Sequence, residues 1–514
     1  MKRAYNIGVR TKLQARRKRV MRVFSRIVRL GLIWCILCGG ITAARARELS
    51  EANEPVRTKT ISATKLKKDL DFLFKTIKEV HPNMYAYTDK EEFEPLRQQL
   101  YAQISQPMNC LEFYKLTAPV VAGLKNSHTG VYPPYLDEFK SYYVGGGLVF
   151  PVEIGWEGPI AVICKNYSLN SLPLDSQLLM INGRSAQDMF ANFAELFAAE
   201  CRYPYRLKYT NNPNLLRFLL FLEYGEVESW DLKIKLNDGK VNSYTINSIT
   251  ATEITGQEQH NDFGLKFSYH RFPNYNTVLL KIKSFGGELK QFDVFQHDFK
   301  RFLNDSFQKV RHQNISNLII DVQDNKGGAE PPVHMLMEHL TSEPYRLYEK
   351  AEIKISAQSS EQIGHLRQKL PDKFEGKKQG DIVAIEFPLR KPPANLLRFS
   401  GTIFVLTGSR TWSASTVFAS AMKCFNVGTL VGEETPDPPT LYGSSVFSEL
   451  PNSGLQFAVA SKLLVTACGK PDGRGVIPDC EVKQKPEDTA KGVDTVLQFT
   501  LDLIKKSNSE IPRK

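Results

Sequence analysis

The chain has 514 residues, of which 42% are hydrophobic and 24% charged, and a formal net charge of +12. A chain of this length can bury its own core and predicts two or three domains. The basic excess does not indicate a nucleic-acid partner, because residues 1–46 hold twelve Lys or Arg and no Asp or Glu, leaving 55 basic against 55 acidic side chains.

The first 46 residues predict export. Leu30 to Ala44 is free of charge and mostly apolar, and Ala44-Arg45-Ala46 is a small-x-small site, so residues 1–46 have the pattern of a signal peptide. The uncharged stretch is short for a spanning helix. Met21 is an alternative start, and an uncleaved membrane anchor is the alternative to cleavage. The sequence therefore predicts a soluble periplasmic or secreted protein without a stable membrane span after leader removal.

The cysteines and histidines predict no metal site and no cofactor. Six cysteines follow the leader without a C-x-x-C pair, and the nine histidines form no H-E-x-x-H motif. Cys468 and Cys480 bracket the loop that contains Asp472. Two buried free thiols are the favoured interpretation of this pair, and a disulfide across the loop, which export would permit, is the alternative.

Two regions precede the C-terminal half. Residues 62–125 carry apolar stripes at helical spacing, interrupted by His81-Pro82-Asn83, and predict a helical domain at 47–140. Residues 143–249 are rich in strand formers and contain the tight turn Asn182-Gly183, and they predict a β-rich domain at 141–260.

Residues 261–514 alternate predicted strands and helices, which indicates an α/β core. The elements are strands at Thr277–Ile282 and Asn317–Val322, helices at Phe292–His312 and Val333–Leu340, and a tail helix at Thr489–Lys505. The polar, charged stretch Ala351–Phe387 predicts a surface excursion. The whole chain is therefore predicted to be a multidomain α+β protein.

Ser413 lies where a strand turns into a helix. Thr402–Thr407 is a short run of β-formers, and Trp412–Phe425 has helical apolar spacing. A hydroxyl at the start of a helix lies near outward-pointing backbone N–H groups, which is the placement that an acyl-transfer nucleophile needs. The alternative is that Ser413 or Ser415 only caps the helix.

Several motifs follow one another in an order that resembles the C-terminal-processing (tail-specific) serine peptidases and the tricorn core peptidase. They are Ser-His128-Thr, Leu-Ile-Ile-Asp321, Asn325-Lys-Gly-Gly328, Thr-Trp-Ser413-Ala-Ser, Gly432-Glu-Glu-Thr435 and Gly475-Val-Ile-Pro-Asp479. The resemblance covers the chain from about Ser62 onward. It implies a crotonase- or ClpP-like α/β catalytic core, a PDZ-like domain before it, and peptide or unfolded-protein substrates.

The resemblance also implies site residues. Ser413 takes the place of the nucleophile, and His128 that of the base in the tricorn-like branch. Asp472 takes the place of the acid, where Glu is more usual. Amides of Gly327 or Gly328 and of Ala414 would form the oxyanion hole. The base of the tail-specific branch is a Lys after the Gly432–Thr435 segment, and here Pro-Asp-Pro-Pro follows instead.

Rival residues and a rival function remain open. His81 is the rival base, although its helix-breaking turn favours a structural role, and Glu434 is the rival acid. None of Lys423, Lys462 and Lys470 stands where a Lys base would. The favoured function is an exported serine endopeptidase with a Ser-His-Asp triad; the alternative is an inactive binder of peptides or lipophilic ligands on the same fold, since fold does not determine activity.

Overall fold

Three β-sheets with helices packed against them make up the described part of the chain. The computed structural model describes residues 60–133, 139–157, 160–200, 213–257, 266–286, 292–469 and 473–510. The predicted signal peptide and Asp472 lie outside these residues. Among the helices that the structure describes, none is long and apolar enough to cross a membrane.

The elements are numbered in chain order. The helices are α1 Ala63–Val80, α2 Lys90–Gln103, α3 Cys110–Ala122, α4 Lys140–Val144, α5 Ala186–Ala194, α6 Pro213–Tyr224, α7 Ala251–Gln257, α8 Phe292–His312, α9 Glu330–Leu340, α10 Ser360–Lys369, α11 Pro371–Phe374, α12 Ala414–Cys424, α13 Pro486–Ala490 and α14 Thr495–Glu510. The strands are β1 Gly130–Val131, β2 Val152–Glu157, β3 Ile160–Asn166, β4 Gln177–Ile181, β5 Arg184–Ser185, β6 Ser229–Lys235, β7 Val241–Asn247, β8 Phe267–Phe272, β9 Thr277–Ile282, β10 Asn317–Asp321, β11 Tyr348–Lys354, β12 Ile382–Glu386, β13 Thr402–Thr407, β14 Thr429–Gly432, β15 Leu441–Glu449, β16 Gln456–Thr466 and β17 Cys480–Glu481.

The N-terminal helices form where the apolar stripes predict them. Helix α1 ends at Val80 because Pro82 follows, and a residue before proline is disfavoured in the helical conformation. Helix α3 begins with a capping box, in which Asn109 and Glu112 each accept the other's backbone N–H. The apolar side chains of these helices share one buried cluster with the small antiparallel sheet β2-β3-β4-β6-β7. That cluster therefore extends on both sides of the domain boundary predicted at residue 140.

The central six-stranded sheet confirms the predicted strand–helix alternation. Its order is β17-β14-β13-β10-β9-β8; only β8 is antiparallel to its neighbour. Helices α8, α9 and α12 contribute to the apolar cluster on one side of this sheet, and α14 contributes to the cluster on the other. A parallel strand covered on both faces is apolar throughout, which is why β10 and β13 are continuous apolar runs.

The prediction of a surface excursion at 351–387 was wrong. Strands β11 and β12 from this stretch belong to a second sheet, β1-β16-β11-β12, with β15 on β16. Ile353, Ile363 and Phe374 are among the side chains that form a separate small apolar cluster there. The alternating exposed and buried residues of β12 explain the polar composition, since one face of an antiparallel sheet can meet water.

The cysteine pairing also differs from both interpretations of the Cys468–Cys480 pair. Cys468 forms a disulfide with Cys424, at the end of α12, with Cα atoms 5.7 Å apart. That separation lies in the range that a disulfide spans. Cys480 is a free thiol on β17, where it pairs with Val431 and packs against the apolar cluster below the central sheet. The alternative of a Cys468–Cys480 bridge is therefore wrong, because Cys468 is already bonded to Cys424, and the favoured pair of free thiols holds for Cys480 alone.

Candidate active site

The carboxyl ends of two adjacent strands bring the Ser413 turn and the glycine turn together. Strands β10 and β13 pair in parallel, so the segments that follow them leave the sheet at the same edge. The approach is close: a Cβ added to Gly327 would lie 2.7 Å from the Cβ of Ser413. Only a glycine fits at this position, and the positive φ of 89° at Gly327 requires one for a second reason.

Ser413 has a strained backbone and an outward hydroxyl. Its φ of 55° and ψ of −123° lie in a region that non-glycine residues rarely adopt, at a cost of about 1–3 kcal/mol. Although Ser413 occupies the N-cap position of α12, its side chain makes no capping hydrogen bond. The capping alternative therefore does not describe its hydroxyl, which faces His128 instead.

His128 reaches Ser413 from the N-terminal helical region. Strand β1 pairs with β16 directly after His128, and the Ser445 hydroxyl donates to the His128 carbonyl at 3.0 Å. The imidazole Nε2 lies 3.1 Å from Ser413 Oγ. The indole of Trp412 stacks on the imidazole with ring centroids 4.5 Å apart, which fixes the plane of the ring. The structure thus brings together two residues that are 285 positions apart in the chain.

The Ser127 hydroxyl links the tautomer of His128 to the ionisation of Asp437. The Ser127 hydroxyl donates its one proton to Asp437 Oδ1 at 3.0 Å, and His128 Nδ1 lies 3.1 Å from the same hydroxyl oxygen. When Asp437 is ionised, that oxygen can only accept from His128, and Nδ1 then carries the proton. Nε2 is left with a lone pair that faces Ser413 Oγ, which is the form of imidazole that can accept the nucleophile's proton.

Burial sets the protonation of the groups at this site. It lowers the pKa of His128 from 6.5 to about 4, so the imidazole is neutral at neutral pH. Burial also raises the pKa of Asp437 well above its usual range, and the nearby charge of Glu200 raises it further. Burial raises the pKa of Glu200 to about 6. Because like charges repel, the carboxyl groups of Asp437 and Glu200 disfavour being ionised at the same time.

The predicted oxyanion donors differ in the acceptors that the structure gives their N–H groups. Ala414 is the first residue of α12, so its N–H has no acceptor within the helix. Gly328, with a φ of 140°, ends the glycine turn. The N–H of Gly327, by contrast, donates to Asn325 Oδ1 at 2.8 Å. Of the two predicted glycine donors, Gly328 is therefore the one whose N–H does not donate to Asn325. The role of Gly327 is to leave room for the Ser413 turn, because it has no side chain.

Comparison with known proteins shows which family this part of the sequence resembles. Residues 276–482 match the sequence profile of peptidase family S41. The segment that contains Ser413 is therefore similar to the serine peptidases of family S41. A search of curated proteins finds no match.

Solved structures show the same fold beyond the matched segment. Mature CPAF complexed with lactacystin is 15% identical, with a TM-score of 0.59, and the match covers 87% of this chain and 98% of that one. Mature CPAF alone is 16% identical, with a TM-score of 0.58, covering 86% and 97%. At this identity the likeness establishes a mixed α+β fold that runs through both the helical N-terminal region and the peptidase domain.

The rival acid and base of the peptidase site are engaged elsewhere. Glu434 accepts from the guanidinium of Arg474 at 2.9 and 2.6 Å and from the N–H of Gly475. His81 is buried and accepts from the N–H of Asn83, in keeping with the structural role predicted for it. Within the described ranges, no group of His, Cys, Asp and Glu could hold a metal ion.

The structure describes the surroundings of two of the three lysines that were considered as alternative bases. Lys423 pairs with Asp479 at 2.9 Å, and Lys470 lies outside the described residues. Burial lowers the pKa of Lys462, and the charge of Glu330 opposes that shift. Lys462 is thus the lysine to consider if His128 is not the base of this peptidase.

Sequence reasoning missed three polar residues at the site. Ser127, Glu200 and Asp437 carry no role in the sequence prediction, yet they surround His128 and the Ser413 turn. A signal for Asp437 was present, because it follows the Thr435 segment where a Lys was expected. For Glu200 the sequence holds no signal, since nothing local distinguishes it from a surface carboxylate.

Proposed function

We propose that this protein is an exported serine endopeptidase that cleaves peptides or protein tails through an acyl-enzyme on Ser413. The observation that carries the proposal is the 3.1 Å contact between His128 Nε2 and Ser413 Oγ at a strand-to-helix turn. A serine hydroxyl is a weak nucleophile at neutral pH and needs an adjacent base, and a neutral imidazole supplies one.

The proposed reaction has two halves. His128 Nε2 removes the proton from Ser413 Oγ as that oxygen attacks the scissile carbonyl carbon. The N–H groups of Ala414 and Gly328 donate to the oxyanion of the tetrahedral intermediate. The imidazolium then gives the proton to the leaving amine, which departs and leaves the acyl-enzyme. In the second half, His128 takes a proton from a water molecule as its oxygen attacks the acyl carbon. The bond from that carbon to Ser413 Oγ then breaks, and the imidazolium returns the proton to Oγ.

The acid and the substrate-binding region remain predictions. Asp472 is the predicted acid of the Ser-His-Asp triad, and it lies outside the described residues. The predicted PDZ-like region at 141–260 contains the antiparallel sheet β2-β3-β4-β6-β7. An extended peptide tail can be captured by adding a strand to such a sheet.

Export to the periplasm or the exterior is proposed from the pattern of residues 1–46, which has the basic, apolar and cleavage regions of a signal peptide. The Cys424–Cys468 disulfide supports an oxidising compartment, because cytosolic thiols are kept reduced.

A fluorophosphonate probe tests the nucleophile directly. We expect the wild-type protein to be labelled at Ser413, because the probe phosphonylates a serine only where an adjacent base activates it. Mass spectrometry of a digest locates the label. Ser415→Ala is the matched control, since Ser415 is a buried serine of the same turn and should leave labelling intact. An unlabelled wild-type protein would favour the alternative of an inactive binder.

The pH dependence tests the base. His128 must be neutral to act, and its pKa is lowered to about 4, so kcat/KM should rise with pH along an acid limb well below the ordinary histidine value of 6.5. The sequence alone predicts an apparent pKa of roughly 6–7 for this limb, and the burial of His128 lowers the expected pKa. The measurement is kcat/KM against pH on a peptide substrate.

The pH test needs a control for the nearby Glu200 carboxyl group, and it also distinguishes a histidine base from a lysine base. Glu200→Gln removes the neighbouring group whose pKa is raised to about 6, and the limb due to His128 should persist in that variant. A single rise well above pH 8 would instead indicate a lysine base.

A further inference from the structure

Asp437 connects the two chain segments that carry the nucleophile and the base. Its Oδ2 accepts the backbone N–H of Ser413 at 2.8 Å, and its Oδ1 accepts the hydroxyl of Ser127 at 3.0 Å. One carboxylate therefore holds the Ser413 turn on one side and the residue before His128 on the other. With 1% of its surface exposed, Asp437 makes both bonds away from bulk water.

The loop that carries Asp437 is itself held in place. Pro436 precedes Asp437 and Pro438 follows it, so the backbone of Asp437 is restricted to extended conformations. The Thr435 hydroxyl donates to the carbonyl of Asp437 at 3.0 Å and accepts the N–H of Val476 at 2.8 Å. The carboxylate is thus presented by a stiff segment, which a group that orients other residues requires.

Glu200 holds the His128 segment from a second direction. Its Oε1 accepts the side-chain amide of Asn126 at 2.7 Å and the N–H of Ser127 at 3.1 Å. Asn126 in turn donates to the carbonyl of Tyr442 at 3.2 Å. Glu200 therefore fixes the backbone of Ser127, while Asp437 fixes its hydroxyl.

We propose that Asp437 is a positioning residue of the peptidase, clamping the strained Ser413 turn to the His128 segment, and that Glu200 supports this clamp from the His128 side. The proposal rests on the proposed function, because it assigns Asp437 a task for the same Ser413–His128 pair. The backbone of Ser413 has no regular structure to hold its φ of 55°, and the bond from its N–H to Asp437 provides a fixed partner. That bond constrains the Ser413 backbone, from which Oγ reaches Nε2.

Asp437→Asn tests the clamp. The introduced carboxamide keeps one acceptor oxygen, so it can satisfy either the Ser413 N–H or the Ser127 hydroxyl, while its NH₂ group cannot accept from the other. We expect kcat to fall on the order of 10²-fold, because small displacements of reacting groups have effects of this size. KM should change by less than about threefold, because the substrate contacts remain. Active-site titration with a fluorophosphonate gives the concentration of folded sites and so corrects kcat for unfolded protein.

Asp69→Asn is the matched control for the loss of a buried carboxylate. Asp69 has 0% of its surface exposed and accepts the N–H groups of Asn452 and Ser453, as Asp437 accepts that of Ser413, but it lies on α1 and contacts neither Ser413 nor His128. Asp69→Asn should lower the thermal midpoint and leave kcat per titrated site within about threefold.

The outcomes separate the clamp from the proposed function. If Asp437→Asn retains kcat per titrated site like Asp69→Asn, the clamp is contradicted while Ser413 and His128 keep their roles. If Ser413→Ala retains activity and the wild type takes no label, the proposed function itself fails. A fall in kcat for Asp437→Asn alone, with KM preserved, supports the clamp.

Discussion

Ser413→Ala and His128→Ala should each lower kcat on the order of 10⁴-fold or more, and the double variant should lose little further. The two side chains act as a unit: without the imidazole the 3.1 Å contact to Oγ is lost, and without Oγ the imidazole has no proton to accept. The measurement is steady-state hydrolysis of a peptide by the four proteins of this double-mutant cycle.

His339→Ala is the control for losing a buried imidazole. Burial lowers the pKa of His339 to about 4, as for His128, and His339 stacks on Phe307 as His128 stacks on Trp412. It should cost stability without a comparable loss of turnover. Near-normal turnover of His128→Ala would remove imidazole as the base, and independent losses that multiply in the double variant would contradict a concerted pair.

Gly327→Ala should abolish most activity by crowding the nucleophile. The new Cβ would meet Ser413 Cβ at 2.7 Å, the carbonyl oxygen of Trp412 at 2.7 Å and the N–H nitrogen of Ala414 at 3.0 Å. Two of these atoms belong to the backbone, so the turn itself must shift. Because the Ala414 amide is a proposed oxyanion donor, we expect kcat to fall on the order of 10²–10³-fold, the range for losing one such donor.

Gly364→Ala is the matched control for this substitution. Gly364 lies within helix α10, and an added Cβ there meets nothing within 4 Å. It should raise stability by about 0.5–1 kcal/mol through helix propensity and leave kcat unchanged. Circular dichroism and the thermal midpoint verify that Gly327→Ala is folded. A folded Gly327→Ala protein with wild-type kcat would show that the glycine turn does not border the reacting atoms.

Most strands and helices after residue 261 lie where the sequence predicts them, although the tail helix begins at Thr495 rather than Thr489. Helix α8 has the predicted bounds, and strand β13 ends at Thr407 as expected. Apolar periodicity is a local property, and an element that buries one face or both must display it in its own residues. The same reasoning placed Ser413 at a strand-to-helix turn.

The sequence was less informative where a residue's role depends on distant partners. The polar stretch at 351–387 contains paired strands because β11 pairs with β16, which lies far from it in the sequence. Cys468 pairs with Cys424, 44 positions before it, rather than with Cys480, 12 positions after it. Such contacts depend on which distant strands pair with each other, and the local sequence around each residue does not show this pairing.

By itself the sequence determined the class of the protein, the place of Ser413 at a strand-to-helix turn and the residue types around it, because these follow from local periodicity and motif order. Only the tertiary structure decided that His128 lies against Ser413, through the pairing of β1 with β16. It alone showed Asp437 and Glu200 around the pair, 24 and 213 positions from Ser413. The physical reason is that hydrogen bonds and burial depend on distance in space, and a carboxylate becomes a positioning group only where folding excludes water from it and aligns its two oxygens with their donors.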